Sequence, residues 1–198
     1  MKIGIIGAGG IGQAFAGHMA RAGFEVILSN SHGPQTLAAT ARKLGGATRA
    51  GTREEAAQAD VVLLAVPWQQ WETALSDLPP WDGRILIDAT NAIVFPEFRP
   101  ADLNGTTSSE VVASLAPGAR VVKAMNTLAR EVLASDPHEA GGQRVLFLSG
   151  DDHGAKKEVS GLLTKAGFTA IDLGGLREGG TLQQFGGRLA ALNLIKLG

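Results

Sequence analysis

Several residue types that support common kinds of protein site are scarce or absent. The chain of 198 residues contains no cysteine and only four histidines. Without cysteine it can form neither a disulfide nor a thiolate-ligated zinc or iron–sulfur centre, and it has no thiol nucleophile. The four histidines are scattered along the sequence and offer little for a metal site. The cysteine-based classes of enzyme and metalloprotein are therefore excluded.

Positive and negative charges are nearly balanced, and the sequence contains no long apolar run. Eighteen Lys and Arg stand against nineteen Asp and Glu, a net charge of −1. Proteins that bind nucleic acid through its phosphates usually carry a basic patch, so no nucleic-acid partner is expected. The glycines at 7–12 interrupt the apolar N-terminal run too early for a signal peptide, and no run is long enough to span a membrane. We expect a cytoplasmic protein with no membrane partner.

Glycine is abundant, with 27 residues, about twice the usual ~7%. Many glycines end short, apolar, β-branched runs, and these runs alternate with helical patterns. Several runs are apolar throughout, which is typical of strands buried on both faces of a parallel sheet. The pattern predicts a doubly wound α/β fold with a mostly parallel sheet of about seven or eight strands. The predicted strands are Lys2–Ile6, Glu25–Ser29, Thr48–Ala50, Asp60–Val66, Arg84–Asp88, Arg120–Ala124, Arg144–Ser149 and Thr169–Leu173.

Helix starts are marked by capping residues. Thr52 with Glu55 and Thr107 with Glu110 have the spacing of a capping box, and Asp151–Asp152 precede a predicted helix that includes 156–166. These signals place helices between the predicted strands, as a doubly wound fold requires.

The C-terminal part of the chain is predicted to form a small extension of a single domain, 1–198. Past residue 180, apolar residues recur at steps of three and four and predict a final helix, which Gly186–Gly187 should weaken or kink. We expect 174–198 to serve as a lid over a substrate or as a subunit interface. The alternative for its glycine-rich first part is a surface loop. The apolar residues are Leu182, Phe185, Leu189, Leu192 and Ile195.

The first predicted strand runs directly into a G-x-G-x-x-G motif that opens a helix. In this context the first glycine permits the turn, the second admits a diphosphate to the backbone, and the third lets helix and strand pack closely. The helix N-terminus adds amide donors and a positive dipole. A plain strand-to-helix turn is the alternative, but the position after the first strand favours a dinucleotide site at Gly7, Gly9, Gly10, Ile11 and Gly12.

The end of the second predicted strand bears on the choice between NAD and NADP. An NAD site normally places a carboxylate there to bind the ribose 2′-hydroxyl, but this chain has Ser29, Asn30, Ser31 and His32. These side chains suit a 2′-phosphate, with Arg42 or Lys43 as possible neighbours, so NADP is favoured. The alternative is a polar loop that caps the helix beginning near Pro34.

Two later strand ends carry Asn and Thr next to each other. Thr90–Asn91 and Asn126–Thr127 offer amide and hydroxyl groups suited to a ribose or a carboxamide, although each pair also suits a turn or a helix cap. Ligands in open α/β sheets bind at the carboxyl ends of the strands, so we expect both pairs to border the same crevice.

The order of these motifs resembles that of the NADPH-dependent reductases of the deazaflavin coenzyme F-420, and is also similar to the oxidoreductase domain of the transmembrane ferric reductases. The likeness covers nearly the whole chain. It implies an NADP-binding Rossmann domain that exchanges a hydride with a flavin-like acceptor, namely coenzyme F-420, FMN or FAD. It also implies an apolar wall beside the cofactor, formed by Val66, Pro67 and Trp68. The residues that it places near the nicotinamide are Asn126, Thr127 and Leu128.

The chain departs from the family pattern at two places. His32 stands where these reductases usually have arginine, and Asn126–Thr127 stands where the deazaflavin reductases carry His-Thr. Trp68 and Trp71 lie three residues apart on one helical face, so a role as core or interface aromatics is the equal alternative to a place in the apolar wall. His18, His138 and His153 are assigned no catalytic role.

Hydride transfer depends mainly on positioning two rings and excluding water, so no catalytic side chain is predicted. The expected partners are NADP, a small-molecule redox acceptor and a second copy of the chain in a homodimer. Two alternatives remain. One is a two-domain reductase of hydroxy acids or cyclic imines, for which the 48 residues after Gly150 leave little room. The other is a non-catalytic NADPH sensor.

Overall fold

The computed structural model describes all 198 residues, which form one large sheet with helices on both faces and a separate two-stranded sheet. The strands are β1 (Lys2–Ile6), β2 (Glu25–Ser29), β3 (Ala47–Ala50), β4 (Val61–Leu64), β5 (Ile85–Asp88), β6 (Ile93–Val94), β7 (Arg99–Pro100), β8 (Arg120–Ala124), β9 (His138–Glu139), β10 (Gly142–Gly150), β11 (Thr169–Asp172) and β12 (Ile195–Leu197). The helices are α1 (Gly10–Arg21), α2 (Ala38–Leu44), α3 (Arg53–Ala57), α4 (Trp71–Leu75), α5 (Ser108–Ser114), α6 (Arg130–Ala134), α7 (His153–Lys165) and α8 (Glu178–Gln183). Short 3₁₀ turns lie at Pro34–Leu37 and Trp68–Gln70.

The central strands follow the order β3-β2-β1-β4-β5-β8-β10-β11. The six strands from β3 to β8 are parallel, whereas β10 runs antiparallel to β8 and parallel to β11. This arrangement confirms the predicted doubly wound, mostly parallel sheet. The strand order reverses between β1 and β4, and the carboxyl ends at such a switch point form the usual ligand crevice.

The core explains why the strands are apolar throughout. Val61 and Leu63 of β4 belong to a cluster of 27 buried residues on one face of the sheet. Val62 and Leu64 belong to a cluster of 15 on the other face. Because side chains alternate along a strand, a strand covered on both faces needs apolar residues at every position.

The predicted caps are confirmed. Both threonine–glutamate pairs form complete capping boxes at the starts of α3 and α5, with reciprocal backbone and side-chain bonds. Asp152 caps α7 through a 2.6 Å bond from the Ala155 amide to its Oδ1. The helix begins at His153, three residues earlier than 156.

The prediction of a helix through Leu182, Phe185, Leu189, Leu192 and Ile195 is wrong. α8 ends at Gln183, turns follow, and Ile195–Leu197 form β12, antiparallel to the start of β10. Gly186 adopts a φ of 85° with its Cα facing Pro100, and a side chain at Gly187 would overlap the carbonyl of Leu182. These glycines break the helix rather than kink it. None of the helices has both the length and the apolarity that a membrane crossing requires.

His18 lies buried on α1, at the end of the sheet away from the glycine motif. The Arg21 guanidinium donates to its Nδ1 (2.9 Å), so Nε2 carries the hydrogen and donates to the Leu133 carbonyl (2.7 Å). Burial lowers the pKa of His18 below its ordinary value of 6.5, and the charge of Arg21 acts in the same direction. Burial and the neighbouring guanidinium both favour the neutral imidazole in the folded protein.

We expect stability to fall on mild acidification because of His18. The unfolded chain binds a proton at pH 6.5 more readily than the folded one, so the free energy of unfolding decreases from pH 6.5 down to the lowered pKa and then levels off. The slope is at most about 1.4 kcal/mol per pH unit. Urea unfolding between pH 7.5 and 5.5 measures it. His18→Gln should make the free energy of unfolding less dependent on pH. The control His153→Gln, a change at an exposed histidine, should leave that dependence as it is in the unaltered protein. An unchanged slope in His18→Gln would contradict the role assigned to His18.

Candidate dinucleotide-binding site

The glycine-rich turn between β1 and α1 is tightly packed on two sides and open on the third. Gly7 has a φ of 109°, and a Cβ there would overlap the Ala65 carbonyl. A Cβ at Gly12 would overlap the carbonyl of Gly7. In contrast, no atom lies within 4 Å of a Cβ built on Gly9. The fold thus requires glycine at 7 and 12, whereas Gly9 faces free space.

The N-terminus of α1 has the properties of an anion-binding site. Gly9, its N-cap, contributes no side-chain cap, and the first turn contains no acidic residue. The first amides of a helix have no partner within it, and the helix dipole is positive at this end. Gln13 holds the turn in place through a 2.7 Å bond from its side chain to the Ala8 carbonyl. Gly10, Ile11 and Gly12 therefore present amides beside the open face at Gly9.

Two of the four polar residues at the end of β2 and just after it bond within the protein. Ser29 is fully buried and its hydroxyl donates to the Ile5 carbonyl at 2.8 Å, so it does not face the crevice. Asn30 donates to the Thr36 hydroxyl at 3.0 Å and accepts from the His32 amide at 3.0 Å. These two residues shape the loop, and the predicted contact of Ser29 with a cofactor phosphate is not compatible with its burial.

The other two residues after β2, Ser31 and His32, are exposed. The Ser31 hydroxyl lies 3.4 Å from Nδ1 of His32 and has no other partner. Arg42 and Lys43 are exposed on α2, and Arg42 donates to the Ala38 carbonyl. Ser31 and His32 are consequently the side chains in this loop that remain available to a ligand.

The chain after β4 forms an apolar wall beside the glycine turn. Val66 lies against Gly7, because a Cβ built on Gly7 would come within 2.9 Å of the Val66 Cγ1. Pro67 precedes the 3₁₀ turn in which Trp68 lies. The Trp68 ring is half-buried and stacks on Trp71, with ring centroids 5.1 Å apart. Trp71 is a buried core residue, so the two tryptophans have different roles.

Asn91 and Asn126 meet across the carboxyl ends of β5 and β8. Asn126 donates to the Asn91 side chain at 3.1 Å and to the Gln183 carbonyl at 2.7 Å. Its Oδ1 accepts from the Gln183 side chain at 3.1 Å, and Asn91 donates to the Asn126 carbonyl at 2.9 Å. Both amide hydrogens of Asn126 are used within the protein. Asn126 therefore ties α8 to the crevice, while Asn91 retains one free N–H.

The residues that follow Asn126 are also largely enclosed. Thr127 and Leu128 are 5% and 6% exposed, and the Thr127 carbonyl accepts from the Ala191 amide at 2.8 Å. Met125, just before them, has a φ of 66° and redirects the chain at the end of β8. The C-terminal segment thus lies against this loop, and the side chains of 126–128 are enclosed by the protein rather than free.

A buried ion pair that the sequence analysis missed lies beneath these asparagines. Lys123 and Asp88 are both fully buried, with the ammonium 3.2 Å from the carboxylate. Lys123 also donates to the Thr90 carbonyl at 3.0 Å. Asp88 accepts from the amide and hydroxyl of Thr90 and, at 2.5 Å, from the hydroxyl of Ser109. The signal in the sequence that marks this pair is Lys123, which lies between apolar residues in β8.

A glycine turn at the switch point of a doubly wound sheet, opening an uncapped helix, defines a dinucleotide-binding protein of the Rossmann class. Comparison with known families is more specific. The profile described as NADP oxidoreductase coenzyme F420-dependent matches residues 2–92. A solved structure of a putative F420-dependent NADP-reductase from Arthrobacter sp. FB24 is 30% identical, with a TM-score of 0.76, over 89% of this chain and 86% of that one. The chain belongs to this family of NADP-dependent oxidoreductases.

Other relatives extend the comparison. A hypothetical protein from Sinorhizobium meliloti is 46% identical with a TM-score of 0.94, over 99% of this chain and 96% of that one. Metalloreductase STEAP3 of Rattus norvegicus is 30% identical over 176 residues, which are 88% of this chain and 34% of that protein. The chain spans about a third of the length of the curated relatives it matches. The expected likeness to the oxidoreductase domain of ferric reductases is confirmed.

Proposed function

We propose that the protein transfers a hydride between NADP(H) and a flavin-like acceptor such as coenzyme F-420, FMN or FAD. The observation that carries this proposal is the open face at Gly9, beside the uncapped start of α1 at the switch point of the sheet. There the amides of 10–12 would bind the diphosphate. Ser31 and His32 would bind the 2′-phosphate, and no carboxylate follows β2 to repel it.

The chemistry makes few demands on side chains. When bound, NADPH supplies a hydride from its nicotinamide ring. The protein would position that ring: Val66 and Trp68 offer an apolar wall, and Asn91 offers a free N–H at the ends of the neighbouring strands. Most of the acceleration would then come from orientation and from exclusion of water. The absence of an acid or base among these residues agrees with such a mechanism.

Exposed aromatic rings near the crevice support a planar acceptor. The β6–β7 hairpin follows Asn91 and carries Phe95 and Phe98, which are 59% and 60% exposed. The Phe98 ring meets Phe185 edge to face, with centroids 5.1 Å apart. Phe185 belongs to the segment that lies against 126–128. Aromatic rings of this kind favour stacked or edge contacts with another planar ring.

The first test of this function is the choice of nucleotide. We expect NADPH to bind at least tenfold more tightly than NADH, about 1.4 kcal/mol, as measured by calorimetry. The double change Ser31→Ala with His32→Ala should remove most of that preference without weakening the binding of NADH. His153→Ala, which alters an exposed histidine elsewhere, serves as the control. Equal affinities in the unaltered protein would contradict the assignment of Ser31 and His32.

The acceptor is tested separately by stopped-flow mixing of the NADPH complex with a deazaflavin, FMN or FAD. We expect loss of NADPH absorbance with at least one of the three. Tight NADPH binding without turnover of any acceptor would contradict the proposed reaction and favour a sensor that binds the same nucleotide.

A further inference from the structure

Arg130 covers Gly10, next to the open face at Gly9. It is the first residue of α6, which follows the 126–128 loop. A Cβ built on Gly10 would lie 2.5 Å from the Arg130 Cδ and 3.0 Å from its Cβ. The aliphatic part of Arg130 therefore crosses directly over the first residue of α1. Its guanidinium begins one bond beyond that Cδ, so it can reach the proposed diphosphate site beside Gly10.

The guanidinium is largely unengaged. Only its Nε has a partner, the Glu131 carboxylate at 2.5 Å, and neither Nη atom forms a hydrogen bond within the protein. The Arg130 and Glu131 side chains are 70% and 69% exposed. Ion pairs as exposed as this contribute little to stability. Arg130 is thus free to pair with another anion at small cost.

Packing and helix stability do not account for a cation at this position. A methionine or leucine would cover Gly10 equally well, since only the aliphatic part of Arg130 touches it. Helix dipoles favour negative charge at an N-terminus, yet Arg130 lies in the first turn of α6 and beside the first turn of α1. The position therefore favours an additional anion close to Gly10.

We propose that Arg130 is a diphosphate-binding residue of the dinucleotide site. On binding, its guanidinium would pair with the cofactor diphosphate that the amides of α1 also contact. Charge-assisted bonds from arginine to phosphate are among the stronger hydrogen bonds in proteins. This inference rests on the proposed function, because it takes NADP(H) to be the ligand of the glycine turn.

The experiment compares Arg130→Met, which keeps the aliphatic cover over Gly10, with Arg130→Lys and Glu131→Gln. Dissociation constants are measured by calorimetry for NADPH and for adenosine 2′-monophosphate, which lacks the diphosphate. Arg130→Met should weaken the binding of NADPH at least tenfold and leave the dissociation constant of adenosine 2′-monophosphate unchanged. Arg130→Lys should recover part of the loss. Glu131→Gln should not weaken NADPH, because it removes only the competing carboxylate.

Two results would overturn the role of Arg130 while the proposed function stands. One is an unchanged NADPH affinity in Arg130→Met. The other is an equal loss for NADPH and adenosine 2′-monophosphate, which would indicate a structural effect. If the unaltered protein bound neither NADPH nor NADH, the proposed function would fail and the inference with it.

Discussion

Replacing Lys123 by methionine is expected to lower the free energy of unfolding by about 3–5 kcal/mol. The change leaves the fully buried Asp88 carboxylate without its cationic partner. The remaining donors, from Thr90 and Ser109, are neutral and do not balance the charge. Breaking a buried pair from one side costs far more than the pair itself contributes, because an uncompensated charge stays in a medium of low dielectric constant.

Urea unfolding of the Lys123→Met protein measures this effect. The double variant with Asp88→Asn should recover a large part of the loss, since it removes the isolated charge and keeps an acceptor for Thr90. Lys157→Met, at an exposed lysine of α7, should change stability by no more than about 0.5 kcal/mol. A loss below about 1 kcal/mol in Lys123→Met would show that the ion pair is not a major determinant of stability.

The ion pair also bears on the crevice. Thr90, whose carbonyl accepts from Lys123, precedes Asn91, and the Lys123 carbonyl accepts from the Gln183 side chain at 3.1 Å. Gln183 in turn holds Asn126. The loops after β5 and β8 and helix α8 are thus joined through one buried polar network. Weakening this network should disturb the loops that carry Asn91 and Asn126 before it disturbs the glycine turn.

The features that the sequence predicted well depend on local or periodic signals. Continuous apolar runs identified strands covered on both faces, as the division of β4 between two cores shows. Each capping box is complete within four residues, so no distant contact is needed to form it. The glycine motif is a local signal of the same kind, because two of its glycines are required by the backbone and a third faces open space; its binding of a dinucleotide stays a prediction.

The features that were missed depend on contacts between distant residues. Ser29 resembles an exposed strand-end serine in the sequence, but its hydroxyl is used by Ile5, 24 residues earlier. The amide of Asn126 is occupied by Gln183, 57 residues later. The C-terminal apolar pattern fits a helix, yet the conformation of Gly186 and pairing with β10 produce turns and a strand instead. Periodicity carries no information about such partners.

The second large effect is expected at Gly9, where a single methyl group should separate binding from folding. Gly9→Ala places a Cβ in a space that no protein atom approaches within 4 Å, and the backbone there, with φ near −74°, accommodates alanine. Stability should therefore change by no more than about 1 kcal/mol, the usual cost of alanine at an N-cap. NADPH affinity should fall at least a hundredfold, about 2.8 kcal/mol, because the methyl group occupies the approach of the diphosphate.

Gly12→Ala provides the contrast for this measurement. Its Cβ would overlap the Gly7 carbonyl, so the variant should lose about 1–3 kcal/mol of stability through overpacking. Thermal unfolding and calorimetric titration with NADPH, applied to both variants, distinguish the two effects. A folded Gly9→Ala protein that binds NADPH as tightly as the unaltered chain would show that the diphosphate does not approach this turn. The proposed function would then lose the observation on which it rests, whatever the acceptor.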